Sequence, residues 1–400
     1  MFSLFWLLLA THAANPSSSP STSPHVDPAF LSFAREVEDS LRGGDPAVLD
    51  ARVDVDQLLQ RATRGLPASK TFMDELTGDV RESGLHLGGR LLDVGAENLR
   101  VRLLRVWMQG RTHRALFRIL SPSGLNYFDF ELGRNARNEV VIVDIYPYMA
   151  GELFSESLRR VYLMAAAEEG QCSLEGLSRR ERGLLGSMPR LRRIERLMES
   201  ESYREVVEEL DRLPPAVLGE KSFQLLRLKA LAHLDEAEYL SGLLAFEKAF
   251  PGDAALDLYS LDNPLLRGDA TAMMQAIDRL DRRVEDPYLQ YLRGLVKLEQ
   301  EDLTGAKRFF QKTIHEEPAL FEPYVELLGL AIQESDHAGA VRLLEALERD
   351  AGVDVLQVSV EEAPGAGGFL ESEEYKAWRE RRSRGETRDG GPDAAGTATP

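Results

Sequence analysis

The sequence predicts an α+β amino-terminal domain, with helices packed on an antiparallel sheet, followed by an all-α helical solenoid. Three observations carry this. Apolar residues recur at helical spacing early in the chain, alternate at spacing two from Leu99 to Ile145, and return to helical spacing from about residue 190, where a 34-residue repeat appears. A chain of 400 residues has room for about two or three folding units. Hydrophobic residues at 43% and charged residues at 28% exclude a chain disordered throughout or built from membrane spans. The formal net charge of −18, from 66 acidic against 48 basic side chains, argues against a general nucleic-acid binder. The single cysteine, Cys172, excludes an intramolecular disulfide framework and multi-cysteine metal sites.

The first residues carry an address. Residues 2–10 (FSLFWLLLA) form an apolar run that is shorter than the roughly 20 residues of a membrane span. With small residues after it, the run matches a secretory signal peptide over residues 1–14, cleaved after Ala13 or Ala14. No Lys or Arg precedes it, so only the α-amino group supplies positive charge. The expected location is periplasmic or secreted; the alternative is a cytoplasmic protein whose apolar terminus packs on its own surface. Residues 15–28 (NPSSSPSTSPHVDP) read as an extended Ser/Pro linker, and residues 379–400 as a disordered tail without large apolar side chains. Arginine far outnumbers lysine, an association with GC-rich bacterial genomes.

Residues 29–150 read as helices followed by strands. Phe30, Phe33, Val37 and Leu41 mark a first helix that ends at Gly43-Gly44-Asp45-Pro46, and residues 53–62 and 71–81 read as two more. Leu99-Val101-Leu103, Ala115-Phe117-Ile119, Phe128-Phe130-Leu132 and Val141-Val143-Ile145 then alternate as four strands. Turn residues separate them at Gln109-Gly110, Ser121-Pro122-Ser123-Gly124 and Gly133-Arg134-Asn135, so the strands form an antiparallel meander. This element order, with the final strand Val141-Ile142-Val143-Asp144-Ile145-Tyr146, resembles the nuclear transport factor two-like α+β cone. The resemblance implies a cavity used for small-molecule chemistry or for protein docking. On the last strand Asp144, Tyr146 and Tyr148 are expected to share a face with Val140 and Ile142; Tyr127, Asp129 and Glu131 share one on its neighbour. Tyr127, Asp144, Tyr146 and Tyr148 are therefore the candidate cavity residues, a carboxylate base with phenol donors. The competing reading places these polar groups in water, with Asp144 held by backbone amides.

Residues 151–200 read as linking helices, at 153–167 and 174–198. Their arginines, Arg179, Arg180, Arg182, Arg190, Arg192, Arg193 and Arg196, read as a solvated face balanced by acids such as Glu195, Glu199 and Glu201. Residues 201–350 read as paired helices. Gly294, Ala306 and Phe310 align after a shift of 34 with Leu328, Ala340 and Leu344, a shift back from Ala306 aligns Ala272, and Pro318 falls eight residues after Phe310 in the same repeat. About five pairs follow one another. The spacings resemble the tetratricopeptide repeat: small residues sit where two helices cross, Phe310 fills the groove to the next pair, and Pro318 ends the second helix. Arg293 and Lys297 depart from the apolar preference of that pattern. The resemblance implies a surface lined by the first helix of each pair, with Tyr288, Tyr291, Leu295, Leu298, Glu322, Val325 and Ile332 as candidate partner-binding residues. Tyr291 and Leu295 replace the Lys and Asn by which chaperone-type repeats grip a carboxylate, so an apolar or amphipathic peptide fits better. Residues 351–378, with Phe369, Leu370, Tyr375 and Trp378, read as a capping segment.

No catalytic motif accompanies this architecture. Gly88-Gly89 lacks the Lys-Ser/Thr of a phosphate loop, the seven histidines are scattered, and Ser187 lacks the second glycine of a nucleophile elbow. The expectation is a non-enzymatic scaffold or adaptor without cofactor, metal, nucleic-acid partner or transmembrane span, binding a protein or peptide. The alternative is a small-molecule binder or enzyme that uses the cone cavity.

Overall fold

A computed structural model describes residues 21–22, 26–89, 99–121, 124–173, 175–262, 269–355 and 360–384. The expected signal peptide, most of the Ser/Pro linker, Pro122-Ser123, Leu174 and the tail from residue 385 lie outside the described residues. The chain divides into two compact units, Ser19–Asp286 and Pro287–Pro400.

In the first unit, α1 (Pro28–Arg42) starts at Asp27, whose carboxylate accepts from the Ala29 amide, and stops at Gly43. Its Phe30, Phe33, Val37 and Leu41 stripe is buried, as the spacing predicts. A short α2 (Ala47–Arg52) follows, then α3 (Val55–Thr63) and α4 (Lys70–Ser83). Four long strands form an antiparallel meander: β2 (Arg100–Gln109), β3 (Thr112–Ser121), β4 (Gly124–Arg134) and β5 (Val140–Pro147). A two-residue β1 (Ser21–Thr22) joins the β2 edge in parallel. Helix α1 covers one face of the sheet, packing on Val101, Leu103, Ala115, Phe117, Phe130 and Ile142.

Two bulges decide which residues face the other way. In β2 the register slips between Leu103 and Arg105; in β5 Leu132 pairs with Ile142 but Glu131 pairs with Asp144. The extra residue, Val143, moves Asp144 to the face opposite Ile142. This corrects the expected sharing of a face by Asp144 and Ile142. Strict alternation fails wherever one strand carries an additional residue.

Past the sheet run α5 (Phe154–Glu168), α6 (Arg179–Gly186), α7 (Met188–Glu199), α8 (Tyr203–Asp211), α9 (Pro215–Leu218), α10 (Lys221–Leu231), α11 (Glu236–Ala249), α12 (Ala254–Asp262) and α13 (Ala270–Val284). The single helix expected over 174–198 is two, parted at Ser187 with Pro189 opening the second. Each of α7, α8, α10, α11, α12 and α13 packs on the next in that order, around Ile194, Val206, Leu210, Leu228, Tyr239 and Phe246.

The second unit contains α14 (Tyr288–Glu299), α15 (Leu303–Glu316), α16 (Glu322–Gln333), α17 (His337–Ala351), α18 (Ala366–Leu370) and α19 (Glu373–Ser383). Here the 34-residue relation is visible in backbone geometry. Glu301 and Ser335 both take a left-handed φ of 58°. Asp302 and Asp336 then cap α15 and α17, accepting from the Gly305 and Gly339 amides at 2.9 and 2.8 Å. Gly294 must be glycine-small, because a Cβ there would lie 2.3 Å from the Phe310 ring. Phe310 fills the space between α15 and α16 with Leu327 and Leu330, while Phe369 and Trp378 cover the far side of α16 and α17. Helix α19 runs on to Ser383, with Arg381 on Glu345 and Arg382 on Glu348. The expected start of a disordered tail at residue 379 is thereby corrected, since those arginines extend the helix by pairing with α17.

Helix starts recur across both units. First helices of the pairs begin at Met188, Lys221, Ala254, Tyr288 and Glu322, and second helices at Tyr203, Glu236, Ala270, Leu303 and His337, always 33 or 34 residues apart.

Candidate functional site

The sheet face turned away from α1 is polar by sequence. Strands β2 and β3 contribute Arg102, Arg105, Arg114 and Arg118; β4 and β5 contribute Tyr127, Asp129, Glu131, Asp144 and Tyr146. Cross-strand register sets basic against acidic or phenolic groups, Arg114 opposite Glu131 and Arg118 opposite Tyr127. Ionised side chains on a covered face need partners, and this face has them.

Asp144 is 1% exposed and fully engaged. Its carboxylate accepts from the Ile145 amide at 2.9 Å, the Ser155 amide at 3.1 Å, the Ser155 hydroxyl at 2.6 Å and Arg61 at 3.2 Å. Ser155 lies in the first turn of α5, where free backbone amides favour a carboxylate. Arg61 of α3 also reaches Glu131 at 2.6 Å. Tyr127 is wholly buried, and its hydroxyl donates to Asp286 at 2.8 Å. Arg118 donates to the other oxygen of Asp286 at 2.7 Å, so one carboxylate just past α13 is gripped by two strands. Arg105 adds Glu285 at 3.3 Å and the carbonyl of Arg283, and stacks on Trp107. Tyr146 is half-buried; Lys221, the first residue of α10, donates to its hydroxyl at 2.7 Å and to Asp253 at 2.9 Å. The Tyr148 ring stands edge-on to Tyr146 and 5.7 Å from Tyr127.

The electrostatics follow from burial. It raises the Tyr127 phenol well above its ordinary range, with the Asp286 carboxylate adding to the effect, and pushes Tyr148 up to about 12. Tyr146 is also raised by burial, which outweighs the opposing Lys221 ammonium. Asp129 is raised to about 6 by burial, against the opposing hydrogen bond and charge of Arg114 at 2.8 Å. These phenols are protonated donors at neutral pH, and the hydroxyl of Tyr127 is already given to Asp286. The arrangement anchors α3, α5, α10 and the end of α13 to the sheet.

Sequence reasoning singled out Tyr127, Asp144, Tyr146 and Tyr148 but not their partners Arg61, Ser155, Lys221 and Asp286. The signal available was complementarity: arginines on two adjacent strands and acids on the next two. The Arg118–Asp286 separation of 168 residues has no local signature. Four of the arginines of α6 and α7 pair with acids other than those expected: Arg180 with Glu220, Arg190 and Arg193 with Glu209, and Arg192 with Glu168.

In the second unit, Tyr291 and Ile332 are buried and belong to the core, not to a surface. Tyr291 packs on Phe310, with ring centroids 5.8 Å apart. Ile332 joins Tyr324, Leu344 and Phe369, and Gly365 lies against its carbonyl. Both expected partner contacts are corrected for the same reason: the next helix or the terminal segment covers them. Tyr288, Leu295, Leu298, Glu322 and Val325 are half-buried. The first three pack beside Tyr291 and Phe310.

Among the described residues, no group of three or more His, Cys, Asp or Glu side chains is placed to hold a metal ion, and no helix is long and apolar enough to cross a membrane. No protein-family model matches the chain, and no curated protein matches it in sequence.

Proposed function

We propose that this chain is a non-enzymatic scaffold of the bacterial envelope or secreted space. In this reading an α+β domain of cone type carries tetratricopeptide-like helix pairs, and those pairs hold a protein or peptide partner. The observation that supports it best is the recurrence of both helix starts every 33 or 34 residues over five pairs. The engaged state of Tyr127 and Asp144 also favours it over a reaction cavity, because their polar atoms hold helices. The partner surface is reduced to the half-buried residues of α14 and α16, namely Tyr288, Leu295, Leu298, Glu322 and Val325, whose combination of one aromatic, three aliphatic and one acidic side chain suits an amphipathic peptide.

The test is affinity capture from the native host's envelope fraction with the intact protein and with Leu298→Lys plus Val325→Lys. A discrete partner lost from the double variant, with circular dichroism unchanged, is expected. An identical captured set sinks the surface. Export is tested separately by terminal sequencing of protein from the host, where a mature start at Ala14 or Asn15 is expected and an intact Met1 refutes it.

A further inference from the structure

The second unit holds a half-buried carboxylate that folding leaves without a counter-charge. Glu326 follows Val325 on α16. Its neighbours are a phenol and a like charge: the Tyr291 hydroxyl donates to it, and Glu322 stands one turn earlier on the same helix. Among the described residues no cation acts on Glu326. Burial raises its carboxyl and Glu322 adds to the effect, with only the Tyr291 hydrogen bond opposing them.

Covered acids elsewhere in the chain hold an arginine. Asp129 takes Arg114 at 2.8 Å, Glu209 takes Arg190 at 2.5 Å and Asp257 takes Arg279 at 2.7 Å. An ionised carboxylate in an apolar surround costs free energy until a cation joins it, and one phenol donor offsets only part of that cost. The surround of Glu326 is aromatic and aliphatic. The Tyr288 ring centroid lies 5.4 Å from that of Tyr291, Leu295 packs on the cluster that contains Tyr291, and Val325 is the adjoining half-buried residue.

We propose that Glu326 anchors a basic side chain, Lys or Arg, of an amphipathic peptide lying on α14 and α16. This anchor rests on the peptide-binding role of the same surface and adds the charge of the guest. Apolar residues on either side of the guest's cation cover Leu295 and Val325, while the cation supplies the counter-charge that Glu326 lacks. An acidic peptide meets Glu322 and Glu326 together and is repelled. A peptide without charge covers the carboxylate and leaves it unpaired, which costs affinity. The formal net charge of −18 favours the approach of a basic segment at long range.

The experiment is fluorescence anisotropy on the full chain with labelled amphipathic peptides of about twelve residues, built of Leu with Lys, Leu with Gln, or Leu with Glu. The Leu/Lys peptide is expected to bind about tenfold or more tighter than the Leu/Gln peptide, and the Leu/Glu peptide weakest. Glu326→Gln keeps an acceptor for the Tyr291 hydroxyl, and with it the fold, and is expected to abolish the lysine preference. Glu371→Gln removes the same charge at an exposed position and is expected to retain it. Equal binding of the Lys and Gln peptides, lost in Leu298→Lys plus Val325→Lys, keeps the peptide surface and overturns the anchor. A lysine preference that survives Glu326→Gln, or falls equally in Glu371→Gln, belongs to the overall charge and overturns it as well. Binding of none of the peptides also overturns the anchor, while the capture experiment decides the surface on its own.

Discussion

Asp286 sits at 1% exposure with Arg118 on one oxygen and Tyr127 on the other. Removing one member of such a buried ion pair strands the other charge, so Asp286→Ala is expected to cost about 3–5 kcal/mol in urea unfolding. Tyr127→Phe removes one hydrogen bond to the same carboxylate and is expected to cost about 1–3 kcal/mol. Asp129 makes a different prediction. Its folded carboxyl is raised to about 6 from an ordinary 3.8, so folding favours the protonated form. Its contribution is fully present below about pH 4 and is lost as pH rises through about 6. The urea midpoint of the wild type should therefore exceed that of its own pH 7.5 sample when measured at pH 5, and Asp129→Asn should flatten this difference. A gain at pH 5 that is the same in the variant would assign the effect to other buried acids, such as Glu38 and Asp257, which burial also raises.

At the scale of elements, the helix pairs rest on caps at their second helices and on small residues where the helices cross. The first residue of each second helix follows a capping position, and in the second unit the caps are Asp302 and Asp336. Asp336→Ala is expected to cost about 1 kcal/mol by thermal unfolding, the usual worth of such a cap. Gly294→Ala is expected to cost about 1–3 kcal/mol, because its methyl would enter the Phe310 ring at 2.3 Å. Adding Phe310→Leu should recover part of that loss, a compensation that a propensity effect could not show. The strands were legible too, since alternation marked all four. Their faces were not fully legible: the bulge at Val143 turned Asp144 away from Ile142 by adding one residue, and the adjacent strand has no matching irregularity to announce it. Helix α2 escaped notice because six residues are too few to show a period.

For the whole molecule, the helical segment from α5 to α13 belongs with the sheet, because polar groups on four strands tie it there. The compact unit accordingly ends at Asp286, well past the point where strand periodicity stops. Hydrogen exchange measured by mass spectrometry should separate the two units. Asp286→Ala is expected to raise exchange in α12, α13 and β4, whereas Phe310→Ala should raise it in α14 to α17. The same pattern from both variants would contradict the division. What the sequence by itself determined depends on near neighbours: the strand alternation, the 34-residue relation of the later helix pairs and the small glycine at the tightest crossing. Only the tertiary structure decided that Tyr291 and Ile332 are core, that Tyr127 and Asp144 hold helices, and that Asp286 closes a unit on Arg118. The reason is physical. Periodicity reports which side of an element is apolar, but burial of a particular side chain depends on which distant segment arrives to cover it, and contacts across 168 residues leave no trace in local spacing.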